Sequence, residues 1–66
     1  MEVYVNGEIR QVPEGLTVHG LLEALQLDAA RVAVELDGQI VRQNCWKERE
    51  LQPGARLEIV QFVGGG

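Results

Sequence analysis

Thr17-Val18-His19-Gly20-Leu21-Leu22-Glu23-Ala24-Leu25-Gln26-Leu27, residues 17–27, is the stretch that carries a helical period. Val18, Leu21, Leu22 and Leu25 fall at i, i+3, i+4 and i+7, so all four share one face. Thr17 is a good N-cap, because its hydroxyl accepts from a free amide of the first turn. A helix over 18–26 is predicted, with Leu27 anchoring its exit. Gly20 weakens the first turn by about 1 kcal/mol relative to alanine. It also stands where a capping-box glutamate would sit. The flanking sequence reads as strand on both sides.

Upstream, Met1, Val3 and Val5 alternate with Glu2 and Tyr4, which predicts a half-buried strand over 1–5. Asn6-Gly7 is a strong hairpin signal, since a type I′ turn wants positive φ at both central positions. Glu8 to Val12 then returns antiparallel, with Ile9 and Gln11 expected on the inner side. Pro13 removes a ladder donor and ends the pairing. Downstream, Asp28 to Arg31 reads as a loop, and Val32, Val34 and Leu36 alternate with Ala33 and Glu35 as a third strand. Asp37-Gly38 leads into a short strand over 39–42 with Ile40 and Val41. Asn44 is expected to cap a single turn containing Cys45 and Trp46, and Lys47 to Glu50 to be solvated. Leu51 is a core plug and Pro53-Gly54 a turn. The last strand runs from Arg56 to Val63, followed by Gly64-Gly65-Gly66. A helix crossing over a mostly antiparallel sheet, with the last strand beside the first, is an α+β β-grasp layout. It implies a mixed sheet of four to five strands, a domain over 1–63 and a flexible tail over 64–66.

The chain has 66 residues, 45% of them apolar, with 6 Lys and Arg against 10 Asp and Glu, a formal charge of −4. That is room for one domain and one core. So small a domain buries only ~60% of its unfolded surface, giving a stability of order 5 kcal/mol. The acidic balance opposes a nucleic-acid or anionic-membrane partner, because no basic face exists to displace counterions. Apolar runs are too short to span a bilayer, and Met1 leads straight into strand-like sequence without a signal peptide. Cys45, the single cysteine, rules out an intramolecular disulfide and fits a reducing compartment. A cytoplasmic location is the expectation.

Glycine lacks a Cβ, so the terminal triglycine can thread a channel too narrow for other residues. Extended, three residues reach roughly 10 Å, enough to carry a carboxylate into a partner's active site. If Leu57 and Ile59 point inward, Val60 and Phe62 point to the outer face. Tyr4 on the neighbouring first strand is expected to share that face and join them in one apolar docking patch beside Val63 and the tail. The remaining candidates read as structural. His19 is a surface or cap-adjacent residue. Cys45 is expected to pack as a small residue beside Trp46, and Trp46 to be core with its indole N–H on a backbone carbonyl. One Cys and one His make no zinc site.

The run Leu57-Glu58-Ile59-Val60-Gln61-Phe62-Val63-Gly64-Gly65-Gly66 resembles the C-terminus of the thiamin-pathway sulfur carrier proteins (ThiS). So do Val3-Tyr4-Val5-Asn6-Gly7, Thr17-Val18 with its leucines, and Val32-Ala33-Val34-Glu35-Leu36-Asp37-Gly38. Trp46 and Pro53-Gly54 also sit where that family tends to place a Trp and a turn glycine. The resemblance covers essentially the whole chain. Gly20, where relatives often carry Glu, and Gly64, which some fill with Ala, are departures that leave the terminal pair intact.

The resemblance implies a ubiquitin-like carrier that acts as a protein substrate and is not an enzyme. An E1-like adenylyltransferase (ThiF-type) joins Gly66 to AMP, consuming ATP; a persulfide sulfur from a cysteine desulfurase then leaves a thiocarboxylate there. A thiazole synthase (ThiG-type) takes that sulfur. Gly64 and Gly65 are implied to thread, and the carrier binds no cofactor of its own. Three rivals share the pattern: a same-fold sulfur carrier for molybdopterin synthesis or tRNA thiolation, a protein modifier conjugated to lysines, and a plain β-grasp binding module. The compact length fits the thiamin type better than molybdopterin-synthase small subunits.

Overall fold

A computed structural model describes residues 1–63. The helix, α1 (Val18–Ala24), forms where its period places it and ends two residues earlier than expected. Thr17 caps it as predicted, its Oγ1 accepting from the Gly20 N–H at 3.0 Å. The other early amides find carbonyls of a distant loop: Val18 N–H donates to Arg49 O and His19 N–H to Trp46 O, at 2.9 and 3.0 Å. Gly20 has a packing reason as well as a propensity cost. A Cβ there would lie 2.7 Å from Leu16 Cδ1, so its absence lets Leu16 close over the first turn.

Strands β1 (Glu2–Val5), β2 (Glu8–Gln11), β3 (Val32–Leu36), β4 (Gln39–Ile40) and β5 (Arg56–Gln61) form one sheet in the order β2-β1-β5-β3-β4. The β1–β5 ladder is parallel and the other three are antiparallel. This is the expected β-grasp, with the last strand in the middle. Asn6-Gly7 and Asp37-Gly38 both make the predicted turns, with φ of 50° and 83°, and 50° and 85°. Val3, Val5, Val34, Leu36, Leu57 and Ile59 from the sheet bury against Val18, Leu21 and Leu22 of the helix. Val41, Trp46, Leu51 and Ala55 close the core from the connections. Trp46 is 3% exposed and its indole N–H donates to Val41 O at 2.8 Å, as expected.

Several local readings are corrected. Ile9 and Gln11 are not on the inner side: all four β2 residues are exposed. A two-residue turn pairs Val5 with Glu8, so Ile9 lies opposite Tyr4 and Gln11 opposite Glu2, and opposed residues share a face. Residues 28–31 are a short 3-10 turn over Ala29–Arg31, capped by Asp28 Oδ1 accepting from Ala30 N–H at 2.9 Å. The fourth strand stops at Ile40; Val41 is buried beyond it. Asn44 lies inside the turn Gln43–Cys45, which starts at Arg42 with no side-chain cap. Cys45 is exposed, not packed beside Trp46, because that turn swings Trp46 into the core and leaves its neighbour outside. The last strand ends at Gln61, two residues early.

The helix exit predicts a stabilising change. Gln26 N–H donates to Glu23 O and Leu27 N–H to Leu22 O, both at 3.0 Å, the paired bonds of a Schellman motif. That motif puts its C′ residue in the left-handed region, and Gln26 sits there at φ 58°. Gln26→Gly removes the Cβ conflict and is expected to raise stability by about 0.5–1 kcal/mol. A thermal melt by circular dichroism checks this, with a rise of about 2–8 °C expected.

Candidate functional site

The outer face of the sheet is laid out by register. On β5, Leu57 and Ile59 point to the helix, while Arg56, Glu58 and Val60 alternate outward. Val60 lies opposite Ala33 on β3, and Glu58 opposite Glu35. Tyr4 on β1 lies opposite Arg56 on one side and Ile9 on the other, with the Arg56 guanidinium 4.6 Å from its ring centroid. Tyr4 and Val60 therefore share a face, as read from the sequence, but not a patch. Arg56 and Val60 are four residues apart along β5, ~13 Å, and Glu58 and Glu35 stand between.

The tail end of β5 is the more apolar part. Val60, Phe62 and Val63 are 57%, 55% and 95% exposed. Phe62 is held by its N–H donating to Arg31 O at 2.7 Å, which fixes the chain one residue past the strand. Arg31, Gln61, Phe62 and Val63 frame a shallow hollow there. Gly64, Gly65 and Gly66, read as the threading and reacting residues, lie outside the described residues.

Asn6 reads in the sequence only as a turn residue, yet it also orders this strand. Its side chain accepts from Ile59 N–H at 2.8 Å and donates to Ile59 O at 3.2 Å, clamping β5 just before Val60. The register beyond the end of β1 is the signal that would have found it: β1 and β5 run parallel and Val5 pairs with Leu57. Ile40, 76% exposed opposite Glu35, was likewise not singled out.

The other candidates stay apart from this region. His19 Nε2 lies 3.4 Å from Glu23 Oε1 on the helix surface. Cys45 Sγ lies 3.5 Å from Asn44 Oδ1. Among the described residues no group of three or more His, Cys, Asp and Glu gathers as metal ligands, and no helix is long and apolar enough to cross a membrane.

The pattern of the ThiS family matches residues 3–66. The chain belongs to the ThiS family. The sulfur carrier protein ThiS of Escherichia coli is 33% identical over 66 residues, covering all of both chains. The crystal structure of a thiamine biosynthesis protein (ThiS) from Geobacter metallireducens superposes with a TM-score of 0.85 at 35% identity, again covering both completely. A thiazole synthase of Paramagnetospirillum magneticum is 39% identical over 66 residues, but the chain spans only 20% of its length. A thiazole synthase of Magnetococcus marinus is 35% identical, likewise over 20% of its length. As a ThiS-family member the chain is a sulfur carrier protein of thiamine biosynthesis.

Proposed function

We propose that the carrier takes up sulfur at the Gly66 carboxylate and delivers it for thiazole formation. In this reading an E1-like adenylyltransferase (ThiF-type) binds the outer face while Gly64 and Gly65 thread its channel. A carboxylate oxygen of Gly66 attacks the α-phosphorus of ATP; pyrophosphate leaves and an acyl adenylate forms. The terminal sulfur of a persulfide, charged by a cysteine desulfurase, attacks the acyl carbon and AMP leaves. A thiol then cleaves the acyl disulfide, being oxidised to a disulfide, and the thiocarboxylate remains. The carrier binds no cofactor; ATP is consumed by its partner. A lone cysteine in an acidic domain supports a cytoplasmic setting.

The observation that carries this reading is the run of exposed apolar side chains, Val60 on β5 and Phe62 and Val63 just past its end, immediately before Gly64 in the sequence. Ordering a glycine tail costs ~1–2 kcal/mol per residue, so docking contacts elsewhere must offset it. A thiazole synthase (ThiG-type) as sulfur acceptor is supported by the two longer relatives. In each, a segment like this chain occupies a fifth of a polypeptide named thiazole synthase.

The test is the intact mass of the protein after incubation with ATP, sulfide and the activating enzyme. A gain equal to one oxygen exchanged for sulfur, lost on deletion of Gly66, is the expected result. No gain with an enzyme active on another carrier would overturn the reading. Phe62→Asp is expected to raise the KM for activation about tenfold to thirtyfold, the size of a buried aromatic anchor. As a surface change it shifts stability by no more than about 0.5 kcal/mol. Unchanged kinetics would move docking away from this strand end.

A further inference from the structure

Strand β2 is an edge of the sheet, and its backbone groups divide cleanly. In β1 the N–H groups of Tyr4 and Asn6 donate to Ala55 and Leu57 carbonyls at 2.8 Å, so those of Val3 and Val5 face β2. Val3 pairs with Arg10 and Val5 with Glu8. The same parity continues outward, where Met1 and Val12 exchange both backbone bonds at 2.7 and 2.8 Å. The backbone groups of Glu8 and Arg10 are therefore used, and those of Ile9 and Gln11 point to the open edge. Such an edge is a template for another strand.

The side chains select which strand. Glu8 and Arg10 project to the helix side, where with Leu25 and Leu27 they line a groove of about 250 Å³. Among the described residues neither has an ion-pair partner. Ile9 projects to the other face, 57% exposed beside Tyr4. Two copies of β2, antiparallel about a two-fold axis at Ile9, oppose Ile9 to its own counterpart. The same register opposes Glu8 to Arg10 of the second copy, twice. A slip by one residue would mix the two faces. A slip by two would centre either Glu8 on Glu8 or Arg10 on Arg10, and like charges directly opposite are destabilising.

We propose that β2 is a homodimer interface, two copies pairing edge to edge in the Ile9-centred register. The Ile9 pair exchanges backbone bonds, and each Glu8–Arg10 pair falls at a non-hydrogen-bonded position, with Cα atoms about 4.5 Å apart. Two five-stranded sheets become one. The axis stands perpendicular to the sheet, so the two β5 strands run in opposite directions. The ends of the two β5 strands at Gln61 therefore lie at opposite ends of the joined sheet. The interface is small, so the dimer forms only at high concentration.

Sedimentation equilibrium of the wild-type chain across micromolar to millimolar concentration is the experiment. The weight-average mass is expected to climb from monomer toward dimer. Glu8→Arg and Arg10→Glu each place like charges opposite one another twice, and each is expected to weaken self-association about tenfold or more. Mixed in equal amounts, the two variants restore both attractive pairs and are expected to associate as the wild type does. A wild-type chain that stays monomeric throughout would overturn the proposal. So would a dimer indifferent to Arg10→Glu, or a mixture no better than either variant alone. Both substitutions are on exposed positions, and unchanged circular dichroism melts confirm that folding is not what moves.

Discussion

Trp46→Ala is expected to leave much of the population unfolded at 37 °C. The side chain is 3% exposed. Its indole N–H holds Val41 O at 2.8 Å and its ring fills the core beside the leucines, while the residue's backbone carbonyl, which alanine keeps, accepts from His19 N–H at the helix start. Truncating such a residue costs about 3–5 kcal/mol, against a total stability of order 5 kcal/mol for a domain of this size. The melting temperature falls by about 15–30 °C, or no cooperative transition remains. Far-ultraviolet circular dichroism is the measurement, since the variant lacks the fluorescent reporter. Trp46→Phe keeps most of the ring but strands Val41 O, and is expected to lose about 1–3 kcal/mol. A Trp46→Ala chain melting within a few degrees of wild type would mean the core closes without it.

Appending residues after Gly66 is expected to abolish activation while leaving the fold untouched. The nucleophile in the proposed chemistry is a carboxylate oxygen, ionised at neutral pH. An extension converts it to an amide, which carries no negative charge with which to attack phosphorus. Pyrophosphate release by the activating enzyme falls to background, and proteolytic removal of the extension back to Gly66 restores it. The melting temperature is unaffected, because the core described here ends at Ile59. Normal pyrophosphate release from the extended chain would rule out Gly66 as the adenylated group.

Periodicity and turn chemistry made most of this fold legible. The leucine face of the helix, the Asn-Gly and Asp-Gly turns and the alternation of Val32 to Leu36 each admit one local solution, and together one topology. Ile9 is apolar yet faces outward, because hydrophobicity alone does not set a strand's register. The two-residue turn already forces Ile9 opposite Tyr4. The split between Tyr4 and Val60 was hidden for a related reason. Face follows from alternation within one strand, but distance along the sheet needs the stagger between strands, which no single strand encodes. Cys45 and Asn44 turned on the geometry of one short turn. The side chains from Lys47 to Glu50 are solvated, as their polarity predicts. The Arg49 carbonyl of that loop and that of the preceding Trp46 cap the helix, and backbone contacts of that kind leave no mark in composition.

The last described strand is also the central one. Val5 meets Leu57, and β3 meets β5 along its whole length, so nothing in the ladder joins the first hairpin to the second until β5 slots between them. A nascent chain lacking those six residues is two separate hairpins and a helix with an unfilled gap. Closing it brings together residues some fifty positions apart, a nonlocal step that slows folding. The strand that completes the fold is also the one that directly precedes Val63 and the glycines. A chain cut short or caught half-made on the ribosome thus lacks the fold and, in the proposed chemistry, the Gly66 carboxylate as well, so in that reading only a finished chain is a substrate for activation.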